Sequence, residues 1–269
     1  DRDARASRLF DLDRATRIAT ELEAIVSAGT PPGEARETRK KRREKPPLPF
    51  DLTTLQREAN RRFSFSAKRT LDAAQRLYEG HKVLTYPRTD SRHLPDDYGP
   101  TVTTLLESMS QLADYESVVD TIDAKGPQNL DRILDSGKVS DHFAIVPTGT
   151  LPESELSGDD ARIFDLVVRQ FLASLMESAV WAVVERFVEV PLPSETVTFR
   201  TTAKSLEVAG FFEALGRETQ DSDLPALVPG QDKSEGVSSK VVHSEFQDKD
   251  TSPPPPLSET QLLRMMETA

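Results

Sequence analysis

The chain has 269 residues, of which 36% are hydrophobic, carries a formal net charge of −11 and contains no cysteine. Disulfides and thiolate metal sites are thereby excluded. His81, His93, His142 and His243 do not cluster at ligand spacing, and no apolar run approaches a membrane span or a secretory signal.

The low hydrophobic share at this length points to more than one module. Apolar spacing predicts a helix over Leu9 to Ala28, stopped by Gly29 and the Pro31-Pro32-Gly33 cluster. Glu34 to Lys45 is polar and basic and reads as a strand, with Arg39 to Lys45 either a solvated charge run or one wall of a positive groove. Pro46-Pro47-Leu48-Pro49 is an extended joint and marks a domain boundary. Asp51 to Phe63 is a predicted helix with a Thr53/Gln56 capping box, and Ser66 caps a second helix through Glu79 with Leu71, Ala74, Leu77 and Tyr78 inward. Lys82 to Tyr86 reads as a short strand. Further helices are expected over Pro100 to Leu112, Glu116 to Ile122, Gln128 to Leu134 and Asp159 to Ser178. β-branched alternation then predicts strands at Ala179 to Val190, Glu195 to Thr202, Ser205 to Val208 and Gly236 to Phe246. Ser258 caps a last helix through Met266. The chain neither begins with methionine nor ends at a helix stop, so it reads as a segment of a longer protein.

Charge is unevenly distributed. From Arg36 to Arg92 there are 16 Lys and Arg against 7 Asp and Glu, a local balance of +9 that leaves −20 elsewhere. A positive region on an acidic body suits a polyanion. Within it lies Leu84-Thr85-Tyr86-Pro87-Arg88-Thr89-Asp90-Ser91-Arg92. A phenol with a pKa of about 10 is a poor nucleophile at neutral pH unless a cation stabilises the phenolate or the group attacked. Arg88 is such a cation, and a guanidinium fork matches phosphate oxygens, so the pair suits attack on a phosphodiester.

This stretch, with Leu55 to Phe63 and Ser66 to Gly80 before it, resembles the active-site region of the type IA DNA topoisomerases, nearer their topoisomerase III branch. The resemblance recurs at Ser140-Asp141-His142-Phe143-Ala144-Ile145-Val146-Pro147-Thr148 and from Pro253 to Glu267. It implies a multidomain α+β chain: a helical, winged-helix-like domain (46–180) carrying the catalytic tyrosine, and an antiparallel β-rich hinge domain (181–250). Residues 1–45 would form the N-terminal flank of the hinge domain, and residues 251–269 the start of a following helical domain. It further implies ATP-independent cleavage of single-stranded DNA by Tyr86 through a 5′-phosphotyrosyl link, then strand passage and religation. Arg88 would stabilise charge on the scissile phosphate, and His142 would assist charge balance. Arg92, Thr89 and Ser91 would make phosphate or structural contacts, and Lys68, Arg69, Arg57 and Arg61 would either line a DNA groove or form a solvated helix face. Phe143 departs from the family, which often carries histidine or glutamate there.

Magnesium is expected in the full-length enzyme, held by a TOPRIM domain outside this chain, with no metal bound by the segment itself. The segment alone is accordingly expected to be inactive. The implied partners are single-stranded DNA, the TOPRIM domain and the remaining helical domain, with no membrane and a cytoplasmic, nucleoid-associated location. The rival reading is a non-catalytic single-stranded DNA-binding module on the same scaffold.

Overall fold

The computed structural model describes residues 9–29, 32–217 and 219–267. Residues 1–8 and 268–269 of the expected terminal flanks, and Pro31 of the expected helix stop, lie outside them. The chain divides into two compact units, one of Asp1–Arg42, Trp181–Glu207 and Thr219–Pro254, the other of Arg43–Val180, Val208–Glu218 and Pro255–Ala269.

The first unit is a four-stranded antiparallel sheet with one helix. Helix α1 (Leu12–Ala28) starts at Asp11, whose carboxylate accepts the Arg14 N–H, and ends at Gly29 in the left-handed region. Strand β1 (Pro32–Glu44) follows, and strands β2 (Ala179–Pro191), β3 (Thr196–Val208) and β4 (Lys233–Lys240) complete the order β3-β2-β1-β4. The two expected strands at Glu195 to Thr202 and Ser205 to Val208 are one continuous strand, with Ala203 buried between them. Ile18 and Leu22 of α1 pack on Val190 and Leu192 of the sheet, flanked by Ile25, Val188, Val197 and Val241. Strand β1 forms as expected although Glu, Lys and Arg, which strands disfavour or tolerate, dominate it. Its register is set by alternation, with Gly33, Ala35 and Glu37 inward. Gly33 is required there because a Cβ would stand 2.8 Å from the Glu189 carbonyl oxygen. Its cations meet carboxylates: Lys40 pairs with Glu185 at 3.3 Å and Lys41 with Glu207 at 2.8 Å. Glu37, 3% exposed, is held by Arg39 and Arg186, which also donate to the Leu224 and Pro225 carbonyls.

The second unit is helical. Helix α2 (Leu52–Phe63) begins one residue after Asp51, so the capping box is Asp51 with Thr54 rather than the expected Thr53 with Gln56. Asp51 accepts the Thr54 N–H at 2.7 Å, and the Thr54 hydroxyl accepts the Asp51 N–H at 3.2 Å. Helix α3 (Ala67–Glu79) is capped by Ser66 as expected. Helices α4 (Gly99–Met109), α5 (Glu116–Lys125) and the single turn α6 (Leu130–Ile133) follow. The expected Gln128 to Leu134 helix shrinks to that turn because Asn129 sits at a φ of 58°. Helix α7 (Gly158–Ser174) is the centre of the unit, with Ile163, Leu166, Val167 and Phe171 buried against Leu55, Phe65 and Leu77 in a common core.

The turn α8 (Phe212–Leu215) and helix α9 (Glu259–Glu267) both belong to this unit. The sequence had assigned the first to the β-rich domain and the second to a following one. Phe211, Phe212 and Leu215 are buried beside α7, and the approach is possible because Gly210, at a φ of 52°, lets the backbone pass where a Cβ would lie 2.6 Å from the Glu177 carbonyl oxygen. On α9, Glu259 accepts the Ala67 N–H at 2.8 Å and Thr260 donates to Asn60 at 2.7 Å.

Candidate active site

Gly80 ends α3, and Lys82, at a φ of 57°, turns the chain into the stretch that carries Tyr86. The expected strand from Lys82 to Tyr86 is reduced to one antiparallel bridge, Leu84 with Pro147. Prolines at 87 and 147 remove the amides that would extend a ladder. Thr85 substitutes side-chain bonds for it. Its N–H donates to the Val146 carbonyl at 3.0 Å, its hydroxyl donates to the Ala144 carbonyl at 2.9 Å, and that hydroxyl accepts the Val146 N–H at 3.0 Å. The two sequence motifs, Leu84 to Arg92 and Ser140 to Thr148, are thereby brought side by side.

From Tyr86 to Ser91 burial alternates: Pro87, Thr89 and Ser91 point inward, while Arg88 and Asp90 are exposed and Tyr86 is half-buried. A period of two is that of extended backbone, so Tyr86 and Arg88 share one face. The inward hydroxyls are taken by backbone. Thr89, 6% exposed, donates to the His142 carbonyl at 2.8 Å and accepts the Ser91 N–H at 3.0 Å. Ser91, 4% exposed, donates to the Lys138 carbonyl at 2.7 Å. Of the two roles left open for these residues, phosphate or structural contact, the bonds are structural. Arg92 turns away to donate to the Pro49 and Leu48 carbonyls at 3.0 and 3.2 Å.

On the outer face the Tyr86 ring lies against His142, centroids 4.3 Å apart, and meets the edge of Tyr78 at 5.3 Å and 77°. Arg88 donates to the Gln75 side chain at 3.2 Å, and Gln75 donates to Glu79 at 2.9 Å. Tyr78 was expected in the core, but it is 37% exposed. Gln75, Tyr78 and Glu79 form one face of α3 by their i, i+3 and i, i+4 spacing. That spacing was available in the sequence as a sign that this face meets the tyrosine stretch, and Gln75 is the residue that sequence reasoning missed. Phe143, the next residue after His142, packs on Tyr98, rings 5.3 Å apart. Burial raises the Tyr98 pKa. His93 is held neutral to lower pH by burial first and by the charge of Lys138 second.

The remaining cations expected in a DNA groove divide into two groups. Arg69 makes a two-pronged bond to Asp159, 2.7 Å on each branch, above the Phe65 ring, and Lys68 pairs with Asp72 at 2.8 Å. Arg76 is bound to Asp160 at 2.6 Å. Asp159 and Asp160 occupy the first turn of α7, where the helix dipole favours carboxylates. Arg57 and Arg61 line a separate cleft with Arg92. Among the described residues no group of three or more His, Asp or Glu side chains is placed to hold a metal ion. Among the same residues no helix is long and apolar enough to cross a membrane.

The DNA topoisomerase family profile matches residues 2–269. The chain belongs to that family. It is a type IA, topoisomerase III-like member: it is 37% identical to the DNA topoisomerase 3 of Shouchella clausii over 274 residues, covering 99% of this chain and 35% of that protein. With the DNA topoisomerase 3 of Bacillus subtilis it shares 33% identity over 271 residues, again 99% of this chain and 36% of the other. The chain thus spans about a third of the length of these relatives. Full-length topoisomerase I of Thermotoga maritima has the same fold over 99% of this chain and 41% of its own, with a TM-score of 0.65 at 21% identity.

Proposed function

We propose that this chain supplies the tyrosine-bearing portion of a type IA topoisomerase, and that Tyr86 cleaves one strand of DNA by transesterification. The single observation carrying the proposal is the shared outer face of Tyr86, Arg88 and His142 on a backbone whose inward hydroxyls, Thr89 and Ser91, are both bonded to main-chain carbonyls. The phenol loses its proton, its oxygen attacks phosphorus, and the 3′-oxygen leaves and takes up a proton. The DNA end stays attached as a 5′-phosphotyrosyl ester. One phosphodiester replaces another, so religation by the reverse path needs no ATP. Arg88, anchored by Gln75, stabilises the negative charge on the phosphate oxygens. His142, exposed and against the phenol ring, is positioned to take or return a proton. Magnesium would be bound by residues outside this chain, and no step here is assigned to it. The helical unit corresponds in this reading to a winged-helix-like domain, and the sheet unit to the hinge that lets the bound strand end move away. In this reading the protein works on DNA in the cytoplasm, with the nucleoid.

The test is covalent capture. The chain, alone and joined to a TOPRIM domain, is incubated with magnesium and a 3′-labelled single-stranded oligonucleotide, then denatured. Label retained by the joined protein and lost in Tyr86→Phe is the expected result. Binding without any retained label would instead leave the non-catalytic module.

A further inference from the structure

Strand β3 is an edge of the sheet unit. Among the described residues one bridge, Lys204 with Ser222, uses its outer side. There the Lys204 carbonyl accepts the Ser222 N–H at 2.9 Å, and the Lys204 N–H donates to the Ser222 hydroxyl at 3.2 Å. Lys204 thus turns both main-chain groups outward, and the alternation of an antiparallel ladder gives Thr198, Arg200 and Thr202 the same outward groups. Edges are ordinarily guarded by proline, lysine or a bulge. Thr196 to Thr202 contains no proline and is rich in β-prone residues, and its one cation, Arg200, is engaged with Glu185 and Phe187 on the sheet face.

Beside this edge lies a groove of about 830 Å³, within the ~300–1,000 Å³ range of binding sites. On the α1 side of β3, Val197 packs on the core, and Phe199, 45% exposed, lines the groove with Phe10, Leu12 and Ala15. The 244–251 segment, which forms neither helix nor strand, adds Phe246 and three carboxylates, Glu245, Asp248 and Asp250, against the one ammonium of Lys249. A strand added to β3 would hold every second side chain over this groove. The acid decides between occupants. It repels a polyanion, and a second copy paired through β3 about a two-fold axis would bring its own three carboxylates to the same face of the joined sheet.

We infer that the β3 edge and this groove form a docking site for an extended, basic segment of a partner protein. The segment runs antiparallel to β3 and pairs with the main chain of Thr198, Arg200 and Thr202. Its apolar side chains at alternate positions enter the groove, and its lysines or arginines meet Glu245, Asp248 and Asp250. Main-chain bonds supply affinity and the groove supplies selectivity. The inference does not rest on cleavage by Tyr86, which belongs to the other unit.

Fluorescence anisotropy with the labelled peptide Lys-Lys-Val-Thr-Val-Thr-Val-Lys-Lys tests it, on the chain and on Thr198→Pro, Phe199→Ser and Asp248→Asn. Proline at 198 removes an outward N–H and spares the ladder to β2, so binding should weaken about 10-fold with little change in melting temperature. Phe199→Ser is expected to cost about 10-fold, and Asp248→Asn about 3-fold at low salt and little at high salt. Altered peptides test the same points with the protein unchanged. With the valines over the groove, the threonine nitrogens face β3, so methylating them should abolish binding, whereas methylating the valine nitrogens should leave it. Glutamate in place of the lysines should weaken it about 10-fold. Failure of the parent peptide to bind, equal binding of the two methylated peptides, or equal binding of the lysine and glutamate peptides would overturn the inference. So would a dimer in sedimentation velocity that Thr198→Pro abolishes, since a second copy would then be the occupant.

Discussion

The two units solve the burial of charge in opposite ways. In the helical unit the interior is apolar, most charged side chains lie at the surface, with Glu58 half-buried beside Arg61 and Arg62, and the polar groups that are buried near the tyrosine, Thr89 and Ser91, are satisfied by main-chain carbonyls. In the sheet unit the apolar core is small, built on Ile18, Leu22, Val190 and Leu192, and a carboxylate, Glu37, is buried with two arginines that also grip the Leu224 and Pro225 carbonyls. The lesson is that the tyrosine stands where side-chain packing leaves one backbone conformation. The sheet relies in addition on a buried ion pair, whose strength depends on both arginines staying in place.

Substitutions can break that contrast. The largest effect is expected from Phe171→Ala, which empties the centre of α7 and should cost the helical unit about 3–5 kcal/mol in urea titration. A loss under 1 kcal/mol would mean that the core is not packed as described. Glu37→Gln is expected to cost about 2–3 kcal/mol, below the ~3–5 kcal/mol of a fully buried pair because Arg39 and Arg186 keep some solvent contact. The loss should appear in the sheet signal and not in the helical one. Thr89→Val removes the bond to the His142 carbonyl and is expected to cost about 1–2 kcal/mol, with a parallel fall in covalent capture. Capture unchanged at equal destabilisation would separate Thr89 from the positioning of His142.

Acid sharpens the comparison further. Burial alone would raise the Glu58 pKa, but hydrogen bonds from Arg61 and Arg62 hold it at about 2, below its ordinary 4.5. A depressed carboxylate pKa contributes stability above the unfolded value and loses it as pH falls from 4.5 towards 2. Solvent screening of Arg61 limits this to about 1–2 kcal/mol. Glu58→Gln should therefore flatten the acid limb of the stability profile in that window, and an unaltered limb would count against the pair. The smallest effect belongs to Arg200→Ala: its ion pair with Glu185 is at the surface, and the melting curve should not move.

Much of this was legible in the sequence where one local cause decides the outcome. Ser66 and the glycine at 80 bound α3 as expected, and the apolar spacing of Ile163, Phe164, Val167, Val168 and Phe171 predicted the inward face of α7. The pairing of Tyr86 with His142 could be named from motif resemblance, but not the alternation of faces that sets it. Tyr78 was misplaced because an aromatic at helical spacing reads as core, whereas its edge is taken by another ring far along the chain. The single turn at α6 hides behind good helix formers because Asn129 adopts a left-handed backbone only in context. The membership of α9 rests on Glu259 and Thr260 reaching α2 and the start of α3, contacts between residues about two hundred positions apart that no local pattern encodes.

The alternation from Tyr86 to Ser91 also constrains length. Deleting or adding one residue between Thr85 and Ser91 would exchange the two sides of the strip, sending the phenol and guanidinium toward the carbonyls of the 138–144 segment and the hydroxyls into solvent. A change of two residues would restore the sides but pull the strip out of step with its anchors at Thr85 and Arg92. The stretch can therefore vary in side chain far more readily than in residue count, and its spacing behaves as a reading frame for which groups face outward.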